Sequence, residues 1–160
     1  MSKIFSFPKN FLWGSATSAY QVEGNNFNND WYLWEKQKGL PHLCGKAADS
    51  YNRYEEDFNL AKSLAQNTHR LSFEWSKIQP ARNQFDEKEL DHYKKVIFSL
   101  KEKNITPIVT LHHFTNPLWF YQSGCWLNPD SSDYFAQYVN RVTKEFSGLV
   151  DYWITINEPM

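Results

Sequence analysis

The sequence predicts an α/β protein built from parallel strands that alternate with helices. Three observations carry this. Short β-branched and aromatic runs recur at residues 11–17, 69–75, 105–111 and 151–156, and such runs read as strands. Between them, apolar residues return at every third or fourth position, the period of an amphipathic helix. Polar residues collect where the strands end: Gln21, His112, His113, Asn157 and Glu158.

Residues 11–17 form the first strand, and Gln21 follows it. Residues 25–45 are rich in Asn, Gly and aromatics without clear periodicity, so a long loop is expected, and long loops are usually functional. Tyr51, Tyr54, Phe58, Ala61 and Leu64 then mark a helix that Asp49 or Ser50 can cap. The second strand, 69–75, carries Arg70. Asp86 opens the next helix with Glu89 three residues on, as in a capping box; its buried stripe is Leu90, Tyr93, Val96, Ile97 and Leu100. The third strand, 105–111, leads to His112 and His113. A helix from about Ser131 carries Tyr134, Phe135, Tyr138, Val139, Val142 and Phe146 on one face. The fourth strand, 151–156, ends in Asn157, Glu158 and Pro159, and proline stops a strand because it cannot donate to the ladder.

The order βαβαβαβ implies a parallel sheet with right-handed crossovers. It closes either as an open doubly wound sheet or as a barrel. No glycine-rich phosphate loop follows the first strand, which weakens a nucleotide-binding sheet. A net charge of −1 argues against a nucleic acid or an anionic membrane as the main partner. Cys44 and Cys125 belong to no metal or redox spacing, and read as free thiols of a reducing compartment. The N-terminus shows no signal peptide and no run is long enough to span a bilayer, so the cytoplasm is the default localisation. Aromatics reach 18% of residues; their faces can stack on sugars or bases, but most aromatics are core.

A carboxylic acid and an amide at the tip of a buried strand are costly to desolvate unless they have partners or a task. The tip of a strand in a parallel α/β barrel is where catalytic groups sit. Asn157 and Glu158 are adjacent, so a regular strand cannot aim both inward and a twist or bulge is expected there. Alternation also separates His112 from His113. A shared metal is therefore not expected, and one histidine is read as structural and the other as a site residue. Arg70 shares strand parity with Glu74, which makes a buried structural ion pair the plain alternative for that arginine.

Four runs together resemble a known family. They are Phe11-Leu12-Trp13-Gly14-Ser15-Ala16-Thr17-Ser18-Ala19-Tyr20-Gln21-Val22-Glu23-Gly24, His69-Arg70-Leu71-Ser72-Phe73-Glu74-Trp75-Ser76, Thr110-Leu111-His112-His113-Phe114 and Thr155-Ile156-Asn157-Glu158-Pro159. In this order they are similar to the motifs of glycoside hydrolase family 1, the β-glucosidases and their relatives, from about Phe7 to Met160, and the implied domain is residues 1–160, the N-terminal half of the catalytic barrel. The resemblance implies a (β/α)8 TIM barrel, here its N-terminal half with strands 1–4, and a retaining β-glycosidase that needs no metal and no organic cofactor. It implies Glu158 as general acid/base and Asn157 as the partner of the sugar 2-hydroxyl. Gln21 and His113 would bind hydroxyls on the far side of the same ring, and Arg70 would orient the nucleophile carboxylate. An acetal oxygen leaves poorly until protonated, so Glu158 must be neutral as the first step begins.

The family's nucleophile, a Glu in a Thr-Glu-Asn-Gly-like motif on the seventh strand, has no counterpart in these residues. Glu23 reads as a structural hydrogen-bond partner. Glu74 lies on the strand of Arg70, where attack geometry is poor, since acid and nucleophile flank the scissile bond about 5 Å apart. Barrels of this kind need roughly 200 residues or more, so the chain is expected to be an N-terminal fragment that is inactive alone. Phe114 stands where the family usually has Trp and lacks the indole donor. The expected partner is a β-glycoside or oligosaccharide substrate. The alternatives are a non-catalytic half-barrel that self-associates or pairs with a second chain through its strand edges, and a weak sugar-binding remnant.

Overall fold

The computed structural model describes residues 5–159. Four strands form one parallel sheet in the order β1-β2-β3-β4: β1 (Gly14–Ala16), β2 (Thr68–Ser72), β3 (Thr106–His112) and β4 (Tyr152–Ile156). Each strand pairs with the next in sequence. This singly wound order is that of a (β/α) barrel opened along one side, and it excludes the doubly wound alternative, in which the order reverses. Among the described residues β1 and β4 each pair with one neighbour only.

The register divides the sheet into two faces. Leu71, Val109 and Trp153 lie in one row, with Leu111 on the same side further along β3. They pack with the crossover helices α3 (Ser50–Ser63), α5 (Glu87–Glu102) and α7 (Ser131–Glu145) in a single apolar core. Ala16, Arg70, Ile108 and Tyr152 form a row on the opposite face, where Ile108, Ile154 and Ile156 are only half-buried and Tyr152 is exposed. That open face is the lumen side of the partial barrel.

The helices follow their sequence pattern. Leu90, Tyr93, Val96, Ile97 and Leu100 of α5 are all buried, as are Tyr134, Tyr138, Val142 and Phe146 in and after α7. Asp86 caps α5 by accepting from the Lys88 and Glu89 amides. Only that half of the expected capping box forms, because the Glu89 carboxylate instead accepts from the Tyr51 hydroxyl at 3.1 Å. In α3, Phe58 and Ala61 are buried but Leu64, expected on the same stripe, closes the helix and is exposed. Asp49 stands at the start of α3 without a capping bond and takes the Asn52 and Lys46 side chains.

Three expected boundaries change. Strand β1 is three residues long, because Trp13 turns to Asn67, donating to its side chain at 2.7 Å. Strand β2 stops at Ser72, after which Glu74 caps a short helix, α4 (Trp75–Ile78), by accepting from the Ser76 amide. The stretch expected as a loop contains α2 (Asp30–Lys38), bracketed by Asn29, whose side chain accepts from the Tyr32 amide, and by Gly39 at φ 60°. Two single-turn helices, α1 (Ala19–Val22) and α6 (Leu118–Gln122), and a 3-10 turn (Cys125–Leu127) complete the elements.

Two glycines are fixed by geometry. A Cβ on Gly14 would stand 2.1 Å from the Thr68 carbonyl oxygen, so β1 approaches β2 closely only without one. Gly24 has φ +84° and its Cβ would stand 2.1 Å from the Lys46 carbonyl. Most aromatic mass is core. Trp75 is buried within a cluster of Trp119, Phe120, Trp126, Phe135 and Tyr138, and its indole donates to Gln79 at 2.8 Å.

Candidate active site

The C-terminal ends of the strands bring the predicted polar groups to one end of the sheet. Arg70 lies on the lumen face of β2. Its Nε donates to Thr110 Oγ1 on β3 at 3.0 Å, and its Nη2 donates to Asn157 Oδ1 beyond β4 at 2.5 Å. Guanidinium has only donors, so the Asn157 carbonyl must face Arg70 and its amide NH2 must point elsewhere. The Asn157 backbone N–H donates to the His112 carbonyl at 2.9 Å, which carries the ladder one residue past β4.

The chain then turns sharply. Glu158 has φ 47°, the left-handed region, which costs a non-glycine residue about 1–2 kcal/mol. This is a departure from regular strand geometry of the kind expected where Asn157 and Glu158 stand side by side at the end of β4. Glu158 is exposed and Asn157 half-buried.

The two histidines separate as alternation predicts. His112 is buried, shares a hydrogen bond with Asn116 Oδ1 at 3.0 Å, and packs edge-on against Trp126 and Trp75. Its Nδ1 is buried without a hydrogen-bond partner among the described residues, so only its burial and the Asn116 bond mark it as the more structural of the two. His113 is half-buried, with a buried Nδ1 that has no hydrogen-bond partner among the described residues. Burial lowers its pKa and the Arg70 charge adds to that, while the Glu158 carboxylate acts in the opposite sense. His113 is therefore neutral at neutral pH and lies within electrostatic reach of both. Phe114, at φ 69°, is exposed beside it.

Gln21 sits in α1, exposed, with its carbonyl taken by the Ser18 hydroxyl at 2.7 Å. The start of α1 is tied to the end of β2, where Ala19 N–H donates to Ser72 Oγ at 2.7 Å. Gln21 thus belongs to the same end of the sheet, but it makes no hydrogen bond to Arg70, His113, Asn157 or Glu158 among the described residues.

The ion pair of Arg70 with Glu74 does not form. Because β2 ends at Ser72, Glu74 turns away and is buried, accepting from Ser76 Oγ at 2.6 Å and from Thr115 Oγ1 at 3.0 and 3.1 Å. Burial without a cation, next to the Glu23 charge, raises its pKa to about 7. Glu23 is structural, as expected: it accepts from the Tyr93 hydroxyl at 2.7 Å and pairs with Lys77 at 2.9 Å. Neither carboxylate is free to attack a sugar.

Sequence reasoning missed three supports. Thr110 holds the Arg70 Nε. Thr115 holds Glu74. Asn116 donates to both Asp30 carboxylate oxygens, through its backbone at 2.9 Å and its side chain at 2.8 Å. Asn29 and Gly39, a capping pair with nine residues between them, were the signal for the helix that carries Asp30. No group of three or more His, Cys, Asp or Glu among the described residues stands as a metal site, and no described helix is long and apolar enough to cross a membrane.

Comparison with known proteins agrees with this arrangement. The profile of glycosyl hydrolase family 1 matches residues 4–160. The chain belongs to this family. It is 38% identical to Beta-glucosidase A of Acetivibrio thermocellus over 99% of its own length. It superposes on a beta-glycosidase from Pyrococcus horikoshii with TM-score 0.90 at 41% identity, and on beta-glycosidase BGL167 with TM-score 0.92 at 42%, in each case over 96% of this chain. The chain spans 37% of the length of the Acetivibrio protein and 36% and 37% of the two solved chains. The four parallel strands are part of the (β/α)8 barrel of this glycosyl hydrolase family.

Proposed function

We propose that these residues supply the acid/base side of a retaining β-glycosidase active site. The observation that carries the reading is the Arg70–Asn157–Glu158 unit: an amide clamped by a guanidinium and followed at once by a carboxyl group on a strained left-handed turn. Backbone strain of this kind concentrates at functional sites.

The roles follow from the donors and acceptors left over. Asn157 has its carbonyl on Arg70, so its NH2 is free to donate to the sugar 2-hydroxyl, a contact that tightens in the oxocarbenium-like transition state. Arg70 has five N–H groups and keeps donors for a second carboxylate, the nucleophile. Glu158, exposed toward solvent, protonates the leaving oxygen and then activates water. Neutral His113 and Gln21 bind hydroxyls on the other side of the ring. The names of the relatives, beta-glucosidase and, for a Bacillus subtilis protein, 6-phospho-beta-glucosidase, favour a β-linked glucosyl or phosphoglucosyl substrate.

The nucleophile is assigned to a further half-barrel. Reading the coding DNA beyond codon 160 tests this, and a frame that continues into four more strand-helix units with a late Thr-Glu-Asn-Gly-like motif is expected. The complete product should then hydrolyse an aryl β-glucoside with retained anomeric configuration, followed by NMR, whereas residues 1–160 alone should not. Replacing Glu158 by Gln should cost about 10²–10⁴-fold on substrates with poor leaving groups. A complete product that is inactive, or indifferent to that change, sinks the reading.

A further inference from the structure

The backbone that carries His113 is strained. The Thr115 N–H donates to the His113 carbonyl at 2.9 Å, and Phe114 between them has φ 69°. A three-residue turn closed in the left-handed region is rare for a residue with a side chain. Such strain persists only where the surroundings over-determine it. The His113 ring does not supply that hold, because its Nδ1 is buried without a hydrogen-bond partner among the described residues.

The hold comes from the two residues that follow. Asn116 is tied to Asp30 through its backbone and its side chain. Thr115, which closes the turn, donates its hydroxyl to both carboxyl oxygens of Glu74, at 3.0 and 3.1 Å. Glu74 and Thr115 are both buried, to 1% and 5% exposure. Glu74 also caps α4 through the Ser76 amide at 3.3 Å and the Ser76 hydroxyl at 2.6 Å, but α4 has only four residues. Serine, threonine or aspartate caps a helix with less to bury. The longer glutamate reaches from the end of β2 to the loop after β3. A carboxyl group buried without a cation, its pKa raised to about 7, is a cost that the cap alone does not explain.

We infer that Glu74 is a positioning residue for His113: its carboxyl group, through the Thr115 hydroxyl, holds the strained turn that aims the imidazole at the sugar. The inference rests on the proposed sugar-binding role of His113, but its test reads the imidazole and not hydrolysis. Glu74 itself touches no substrate in this arrangement. It fixes where the His113 ring stands relative to the charges of Arg70 and Glu158 and to the ring of His112, the groups that bear on its protonation. A released turn lets the ring out toward water, away from the burial that holds its pKa below the ordinary 6.5.

The test follows the His113 imidazole by 1H–13C NMR through a pH titration of the chain. Thr115→Val removes the hydroxyl and keeps the branched shape, and the His113 pKa should rise toward 6.5. Thr115→Ser keeps the hydroxyl and should restore the native titration. Ser76→Ala cuts only the capping hydroxyl and should leave His113 unmoved. Glu74→Met should move His113 as Thr115→Val does, and the double variant should move it no further, because both changes cut the same bond. Should Glu74→Met fail to fold, the Thr115 and Ser76 variants decide alone. A native His113 titration in Thr115→Val or in folded Glu74→Met overturns the inference. So does a shift that Thr115→Ser fails to reverse, or one that Ser76→Ala reproduces. All of this is read without turnover, so a failed hydrolysis test leaves it standing, and an unmoved His113 leaves the hydrolysis test standing.

Discussion

Arg70 and Asn157 lie 87 residues apart in sequence and are joined by a charge-assisted hydrogen bond that passes over β3. The same guanidinium holds Thr110 of the strand between them. One side chain therefore ties β2, β3 and the end of β4 together on the lumen face, and sets which way the Asn157 amide points.

Arg70→Lys removes the fork that makes two directed bonds at once. The variant should lose about 1–2 kcal/mol of unfolding free energy in urea, since hydrogen bonds to charged groups contribute on this scale. The Asn157 side-chain NH2 signals in NMR should broaden or shift as the amide loses its fixed orientation. Unchanged signals would mean that another group sets that orientation.

Glu74 gives a stability that depends on pH. Its folded pKa of about 7 stands above the ordinary 4.5 of a glutamate, so the folded state holds the proton more tightly than the unfolded one. Its contribution is full below pH 4.5 and is lost as pH rises through 7. Glu74→Gln keeps the neutral form throughout. The variant should match the native chain at pH 4.5 and exceed it above pH 7, by about 3 kcal/mol as a ceiling, in urea unfolding at the two pH values.

His69 acts in the opposite direction. Burial lowers its pKa to about 4, and its ring nitrogens face Ser15 Oγ at 3.1 Å and Thr17 Oγ1 at 3.2 Å. The unfolded chain takes up the proton first, so stability present above pH 6.5 is lost as pH falls toward 4. An imidazole 13C signal of His69 that inflects near pH 4 is expected, and an inflection near 6.5 would contradict the buried neutral ring.

Gly14 has no room for a methyl group. Gly14→Ala must push β1 from β2 at the Thr68 carbonyl, and should cost about 1–3 kcal/mol, as overpacking does. Amide hydrogen exchange should quicken at Thr17, whose N–H donates to the Arg70 carbonyl. A thermal midpoint equal to the native one would show that β1 can shift without loss.

The long helices were legible because their stripes are long. Leu90 to Leu100 repeats over three turns, and nothing but a buried helix face satisfies that spacing. Helix α2 was hidden because Trp31, Leu33 and Trp34 follow no helical stripe, and it lies over loops instead of over the sheet. The strand ends were the least legible. Parity along one strand paired Arg70 with Glu74, but the chain leaves β2 at Ser72, and the real partner comes from β4. Finding Asn157 needs the strand order, which puts β2 and β4 on either side of β3. The left-handed turn at Glu158 was foreshadowed by two adjacent candidate site residues that one strand cannot aim together. Thr115 and Asn116 left no signal of their own, because their partners Glu74 and Asp30 lie 41 and 86 residues away.

The sequential strand order has a consequence for biosynthesis. Each strand pairs with the one made just before it, so every ladder can close as soon as its second strand leaves the ribosome. Strand β2 needs only β1, and β3 needs only β2. The sheet can thus grow in the direction of translation, each crossover helix covering its outer face before the next strand arrives, and no ladder has to wait for a strand that is made later than the next one.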